Sequence, residues 1–196
     1  SIAIHAIGDK ALEQLLNIFE KYNLSRYNLD SYPYKQSSHP DLFEKIKLLR
    51  PKLSMNPSHI FADIKIANKH WGDRSRYAYR FRSLLNENIP FSFGSDAPVE
   101  KINPWKGIRA AVQRQNNNGE SWYPEEKITL TEAINAYTIN GAKISNEDDV
   151  KGKLSSGYLA DLFVASENPY EIDIDDIENI ESLLTIIDGN IVYNKL

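Results

Sequence analysis

The stretch Phe91-Ser92-Phe93-Gly94-Ser95-Asp96-Ala97-Pro98-Val99-Glu100 constrains this chain more than any other. Its apolar start, preceded by Pro90, reads as a short buried strand, because aromatic side chains suit a pleated, packed surface. Gly-Ser-Asp follows at once and Pro98 bars a simple continuation, so the strand stops where the acid begins. An acid at the end of a buried strand is where an α/β barrel keeps its chemistry, and Asp96 there is placed to bind a metal or move a proton. Taken alone, the stretch favours the plainer reading, an Asp that only caps the turn that follows.

The rest of the chain alternates strands and helices. Ile2 to Ile4 read as an apolar strand with His5 at its C-terminal end. Gly8-Asp9 opens a helix, with Asp9 as its cap and Ala11, Leu12, Leu15, Leu16 and Phe19 on one apolar face. A weak strand falls around Leu29 to Tyr34, and Pro40 suits the first turn of a helix running to Leu49. Lys52 to Met55 form the next strand, and Asn56-Pro57-Ser58-His59 follows it as a loop, a second His just beyond a strand. Residues 60–70 read as helical, with His70 on the surface. Arg74 to Arg82 reads as part of a helix leading into Leu84-Leu85, with its Tyr and Phe packed inward. Pro104 opens another helix, Asn116 to Gly119 make a polar loop, and Thr129-Leu130-Thr131-Glu132 has capping-box spacing for a helix ending at Asn140-Gly141. This β-then-α repetition calls for parallel strands with covering helices.

After Gly152 the pattern changes. Gly157 to Val164 reads as turn then strand, and Leu183 to Tyr193 as a hairpin around Asp188-Gly189-Asn190. Residues 171–181 between them are acidic and expected to be exposed. Two units follow: residues 1–150, α/β, and residues 151–196, a small β segment.

Composition excludes several function classes. With 23 basic and 27 acidic residues in 196, the net charge is −4. That gives no electrostatic reason to expect nucleic acid or an acidic membrane as partner, and Arg74 to Arg82 is one short basic run. No apolar run approaches the ~20 residues of a membrane span. Cys is absent, which fits a reducing, cytoplasmic setting and removes thiolate metal sites. A metal would be held by carboxylates, a modified side chain or the four His, namely His5, His39, His59 and His70.

Taken together, His5 to Ala11, Ser54 to His59, Tyr79 to Leu85, Gly94 to Glu100, Pro104 to Arg114, Trp122 to Lys127, Ala136 to Ala142, Gly152 to Val164 and Asp188-Gly189 resemble the amidohydrolase superfamily. The likeness is to its family-3 branch, which includes N-substituted formamide deformylases. The resemblance implies the C-terminal half of a TIM-type (β/α)8 barrel, strands five to eight with their helices, plus a strand segment of the family's β-domain. In such enzymes the fifth-strand His, here His5, binds metal. The eighth-strand Asp, here Asp96, binds metal and shuttles a proton from the attacking water to the leaving group. His59, after the seventh strand, matches a position facing the pocket, where it contacts substrate or stabilises an oxyanion. The implied cofactor is a divalent metal, zinc before iron or manganese, and the implied partner is a small amide-like substrate whose non-peptide C–N bond is hydrolysed.

Two departures from the family pattern stand out. The family's first half, with its His-x-His pair and bridging acidic or modified Lys ligand, has no counterpart here. The chain is therefore expected to be a fragment, inactive alone, with open sheet edges that favour a homo-oligomer. On the sixth strand the family's Arg-hydrophobic-Glu-His places a ligand where Tyr34 stands, with Gln36 matching the family Gln two places on. The alternative is accordingly a degenerate, metal-free relative with a binding or regulatory role.

Overall fold

A computed structural model of the chain describes residues 2–24, 29–32, 39–116 and 118–196. Among these residues, four strands, β1 (Ile2–His5), β2 (Leu29–Tyr32), β3 (Lys52–Met55) and β4 (Phe91–Phe93), form a sheet in the order β1-β2-β3-β4. Every pairing in it is parallel. Each strand therefore ends on the same edge of the sheet, which is where the strand-end residues singled out above collect. The sheet is consistent with the β–α repetition of the sequence.

Helices α1 (Asp9–Tyr22), α2 (Pro40–Leu49) and α3 (Ile60–Trp71) alternate with these strands. Leu12, Leu15, Leu16 and Phe19 are the buried face of α1, as their spacing predicted. Asp9 is not the cap: Gly8, at φ 89°, occupies the cap position with no side-chain bond, and Asp9 is the first helical residue, ion-paired to Arg74. Only glycine enters that backbone region without steric cost.

Arg74 to Arg82 is not one helix. A 3-10 turn over Gly72–Tyr77 is followed by an irregular Ala78-Tyr79-Arg80 and then α4 (Phe81–Asn86). Tyr79 sits at φ 53°, which interrupts any helix. Its ring and that of Phe81 are fully buried as expected, with centroids 6.0 Å apart. Two arginines of this run are engaged internally: Arg80 lies 3.8 Å over the Phe43 ring, and Arg82 pairs with both oxygens of Glu132 at 2.8 and 2.6 Å.

Phe91 and Phe93 are buried, and Phe93 meets the Tyr137 ring edge to face at 5.5 Å. Helices α5 (Pro104–Gln113), α6 (Leu130–Tyr137) and α7 (Ile139–Ser145) follow, and α6 and α7 pack against β4. The capping box at Thr129 and Glu132 is present in both directions. The helix does not end at Asn140-Gly141, however. It breaks at Thr138 (φ −113°, ψ −95°), and α7 runs through Gly141 to a left-handed Asn146.

The final segment forms a separate antiparallel sheet, β5 (Leu162–Ala165), β6 (Ser182–Ile187) and β7 (Asn190–Asn194), in that order. The hairpin turns through Asp188 and Gly189, both at positive φ, as the Asp-Gly pair predicted. The acidic stretch before β6 is not a free surface loop. Ile177 and Ile180 enter the core, and Arg109 of α5 holds Glu178 at 2.9 Å and Asp175 at 3.1 Å. No helix among the described residues is long and apolar enough to cross a membrane.

A Cβ on Gly107 would lie 2.0 Å from the Tyr137 hydroxyl and 3.1 Å from Pro57 Cγ. Gly107→Ala is therefore expected to cost about 1–3 kcal/mol in urea unfolding, and less when made on a Tyr137→Phe background. Glu132 is held down to about pKa 2, first by its Arg82 hydrogen bonds and then by Thr129. A carboxyl depressed on folding stabilises above its unfolded pKa and loses that contribution as pH falls through the folded value. Wild type should exceed Glu132→Gln by about 1 kcal/mol at pH 7, with the gap closing between pH 4.5 and about 2. A gap independent of pH would contradict this assignment.

Candidate active site

The site is built where β3 and β4 end side by side. Gly94 N–H donates to the Met55 carbonyl at 2.9 Å, carrying the ladder one residue past β4. Beyond β3, Pro57 opens a one-turn 3-10 segment, Pro57–His59, that runs directly into α3. Proline at that first position presets φ and loses only an N–H that the turn leaves unused. The turn is closed by the His59 N–H on the Asn56 carbonyl at 3.2 Å, and it brings His59 back over the sheet edge, 8% exposed.

Beyond β4 the chain turns sharply at Asp96, whose φ is 60°, and the following Ala97–Pro98 peptide is cis. The turn is closed by the Asp96 backbone carbonyl, which accepts from Val99 N–H at 2.8 Å. The Asp96 side chain reaches across instead, its Oδ2 standing 3.1 Å from His59 Nε2. The two side chains are only 17% and 10% exposed. An ionised carboxylate accepts and cannot donate, so the pair is a hydrogen bond in the tautomer of His59 that carries its hydrogen on Nε2. Left-handed backbone at a non-glycine residue is uncommon, and Asp is among the residues that tolerate it.

Of the residues read from the sequence, His59 and Asp96 are thus in direct contact. His5 is exposed and ends β1 on the same sheet edge. Tyr34 and Gln36 lie outside the described residues. His39 sits exposed before α2 with Nδ1 3.3 Å from Asp41, and His70 is exposed on α3.

Sequence reading missed Asn56 and Ser58 as site residues. Both are 2% exposed, and Asn56 Nδ2 and Ser58 Oγ are buried without a hydrogen-bond partner. Buried polar atoms are normally paired, so these two mark a place where a bound group would complete the bonding. The signal in the sequence was three polar residues packed around one proline at a strand end. Glu100 was also unassigned; it braces Lys106 of α5 at 2.6 Å.

The donor types of His5 and Asp96, imidazole nitrogen and carboxylate oxygen, suit zinc, iron or manganese. Among the described residues no three metal-ligating side chains stand together.

This fold and strand-end site have clear relatives. The model of the amidohydrolase family matches residues 1–193. A Bacillus subtilis (strain 168) protein named as amidohydrolase YtcJ is 33% identical over 198 residues, covering 99% of this chain and 37% of that protein. N-substituted formamide deformylase of Arthrobacter pascens is 26% identical over 202 residues, covering all of this chain and 37% of the enzyme. An uncharacterised metal-dependent hydrolase from Pyrococcus horikoshii OT3 superposes with a TM-score of 0.75 at 29% identity, over 89% of this chain and 35% of that structure. The chain belongs to the amidohydrolase family. It spans about a third of the length of these relatives.

If the His59–Asp96 contact is a specific interaction, the two residues should not act independently. A double-mutant cycle of His59→Gln and Asp96→Asn, read by chemical denaturation, is expected to give a coupling of about 0.5–3 kcal/mol. Strict additivity would contradict the contact.

Proposed function

We propose that this chain is the C-terminal part, strands five to eight, of a barrel amidohydrolase that hydrolyses amide-like, non-peptide C–N bonds in small molecules. The observation that carries this reading is the 3.1 Å contact between His59 and Asp96 at adjacent strand ends, in a member of the amidohydrolase family. Residues 1–150 form the partial barrel and residues 151–196 the β segment, the remaining metal ligands coming from sequence that corresponds to the relatives' other two-thirds. His5 and Asp96 would hold a divalent metal, which when bound supplies hydroxide near neutral pH.

The chain's own residues then have separate tasks. Asp96 takes the proton of the attacking water as its oxygen bonds to the substrate carbonyl carbon. As Asp96 becomes neutral its hold on the His59 Nε2–H weakens, and that N–H is released toward the oxygen gaining negative charge. Asp96 then returns the proton to the nitrogen as the C–N bond breaks, so the carboxylate ends as it began. Their low exposure keeps competing water away from both groups and strengthens each hydrogen bond.

The second reading, a metal-free relative with a binding role, is favoured by Tyr34 standing where the family carries a ligand His. Turnover separates the two. The intact protein is expected to hydrolyse members of a panel of small formamides and acetamides. Asp96→Asn should lower kcat by about 10²-fold or more, and His59→Gln by a comparable factor, in protein that remains folded at the assay temperature. Equal turnover by wild type and Asp96→Asn would overturn the assignment.

A further inference from the structure

Asn56 has a task for its backbone and none for its side chain. Its carbonyl accepts the His59 N–H at 3.2 Å and so closes the turn that sets His59. It also occupies the cap position of that turn, where an Asn side chain ordinarily accepts a backbone N–H, yet it makes no such bond. The residue is 2% exposed, and its Nδ2 is a buried donor without a partner among the described residues. A donor shut away from water with nothing to bond costs stability, and an incoming oxygen atom recovers that cost.

Strand register puts this amide on the face of the sheet that carries His5. Leu53 and Met55 of β3 are buried while Lys52 and Ser54 are partly exposed. Side chains alternate along a strand, so Asn56 continues the Lys52–Ser54 face. His5 pairs with Tyr32, Ser31 with Leu53 and Ser54 with Ser92, which brings His5, Ser54 and Ser92 into one row across the sheet. Asn56 stands in the next row toward the strand ends, about 6.6 Å further on. Its neighbour on β4 is Gly94: the Gly94 N–H bonds the Met55 carbonyl, and a Cβ on the glycine would lie 3.7 Å from Asn56 Oδ1. Asp96 is two residues past Gly94. The amide thus lies between the row of His5 and the turn of Asp96, beside a glycine that has no side chain to bond it. Ser58, the other unpaired residue of the turn, lines the charged cleft between α3 and α5 with Lys106 and Arg109.

We propose that Asn56 is a substrate-binding residue of this site, its side-chain amide donating to the carbonyl oxygen of the amide that is hydrolysed. The inference rests on the hydrolytic reading above and adds a residue to it. A side-chain amide keeps its N–H groups at every working pH, so it holds the carbonyl whatever the charge on Asp96 and His59. A carbonyl oxygen is the matching chemistry, because it brings an acceptor without a second negative charge beside Asp96. The contact exists before the reaction begins, so it acts on binding more than on the rate of the bound complex.

The experiment uses the intact protein, acetamide as the probe, and Asn56→Leu, which keeps a similar shape and removes both polar atoms. Without acetamide, the substituted protein is expected to melt at a higher temperature than wild type at equal metal content, because the unpaired donor is gone. Its affinity for acetamide, followed by ligand-observed NMR, should fall at least about tenfold. For any formamide or acetamide that is turned over, KM should rise while kcat holds. A melting temperature below that of wild type would assign Asn56 a structural bond and overturn the proposal, as would an unchanged acetamide affinity. Wild type supplies a second readout that does not depend on how Asn56→Leu folds. In protein carrying isotopically labelled asparagine, the Asn56 side-chain signal, assigned by its absence in Asn56→Gln, should move downfield as acetamide is added. A signal that stays in place would overturn the proposal. Failure of the hydrolytic reading has a different signature, acetamide binding that depends on Asn56 beside turnover that is independent of Asp96.

Discussion

One buried guanidinium, that of Arg114, holds together the segments on which the site depends. It is fully buried and donates to four backbone carbonyls: Tyr79 at 2.7 Å, Ala78 at 3.3 Å, Trp122 at 3.2 Å and Tyr123 at 3.1 Å. Phe81 and Trp122 cover its faces at 5.7 and 5.1 Å. Burial pulls its pKa down to about 10, so it is still charged at neutral pH, and a charge in that position is tolerable only because its N–H groups are so fully used. Arg114 is also the left-handed cap of α5. The same residue thus ends α5 through its backbone and, through its side chain, fixes the helix against two neighbouring segments of the chain.

The consequence reaches the sheet edge through α5. That helix packs on the Pro57–His59 turn, with Gly107 allowing the close approach of Pro57 and Tyr137. The turn sets His59, and His59 meets Asp96. At its other end α5 starts with Asn103 capping Trp105, just beyond the loop that carries Asp96 and Glu100. Both halves of the pair are therefore set from the same helix. Parallel strands supply the common edge, and the helix supplies the separation between the two side chains.

Much of this was legible in the sequence because it is local. The limits of α2 and β3 and the start of α5 follow from Pro40, the alternating Lys52–Met55 run and Pro104, and the structure has them at those residues. The capping box at Thr129 and Glu132 is likewise a short-range signal. What was not legible depends on partners far along the chain. The acidic segment 171–181 reads as solvent-facing until Arg109 draws in Asp175 and Glu178. The break at Thr138 and the positive φ of Tyr79 are imposed by packing, against the local preference of either residue. His59 and Asp96 were each visible as strand-end residues, yet their contact and the unpaired Asn56 and Ser58 appear only once β3 and β4 are side by side.

Metal content decides whether Asp96 serves a metal-dependent hydrolase, as proposed above. Purified intact protein, measured by elemental analysis beside Asp96→Asn, is expected to carry one or two tightly held divalent ions per chain, of the kind N/O sites bind. The substituted protein should carry measurably less. Absence of bound metal in both proteins, even after reconstitution with zinc, iron and manganese, would contradict the account and turn attention to a binding role for the His59–Asp96 edge.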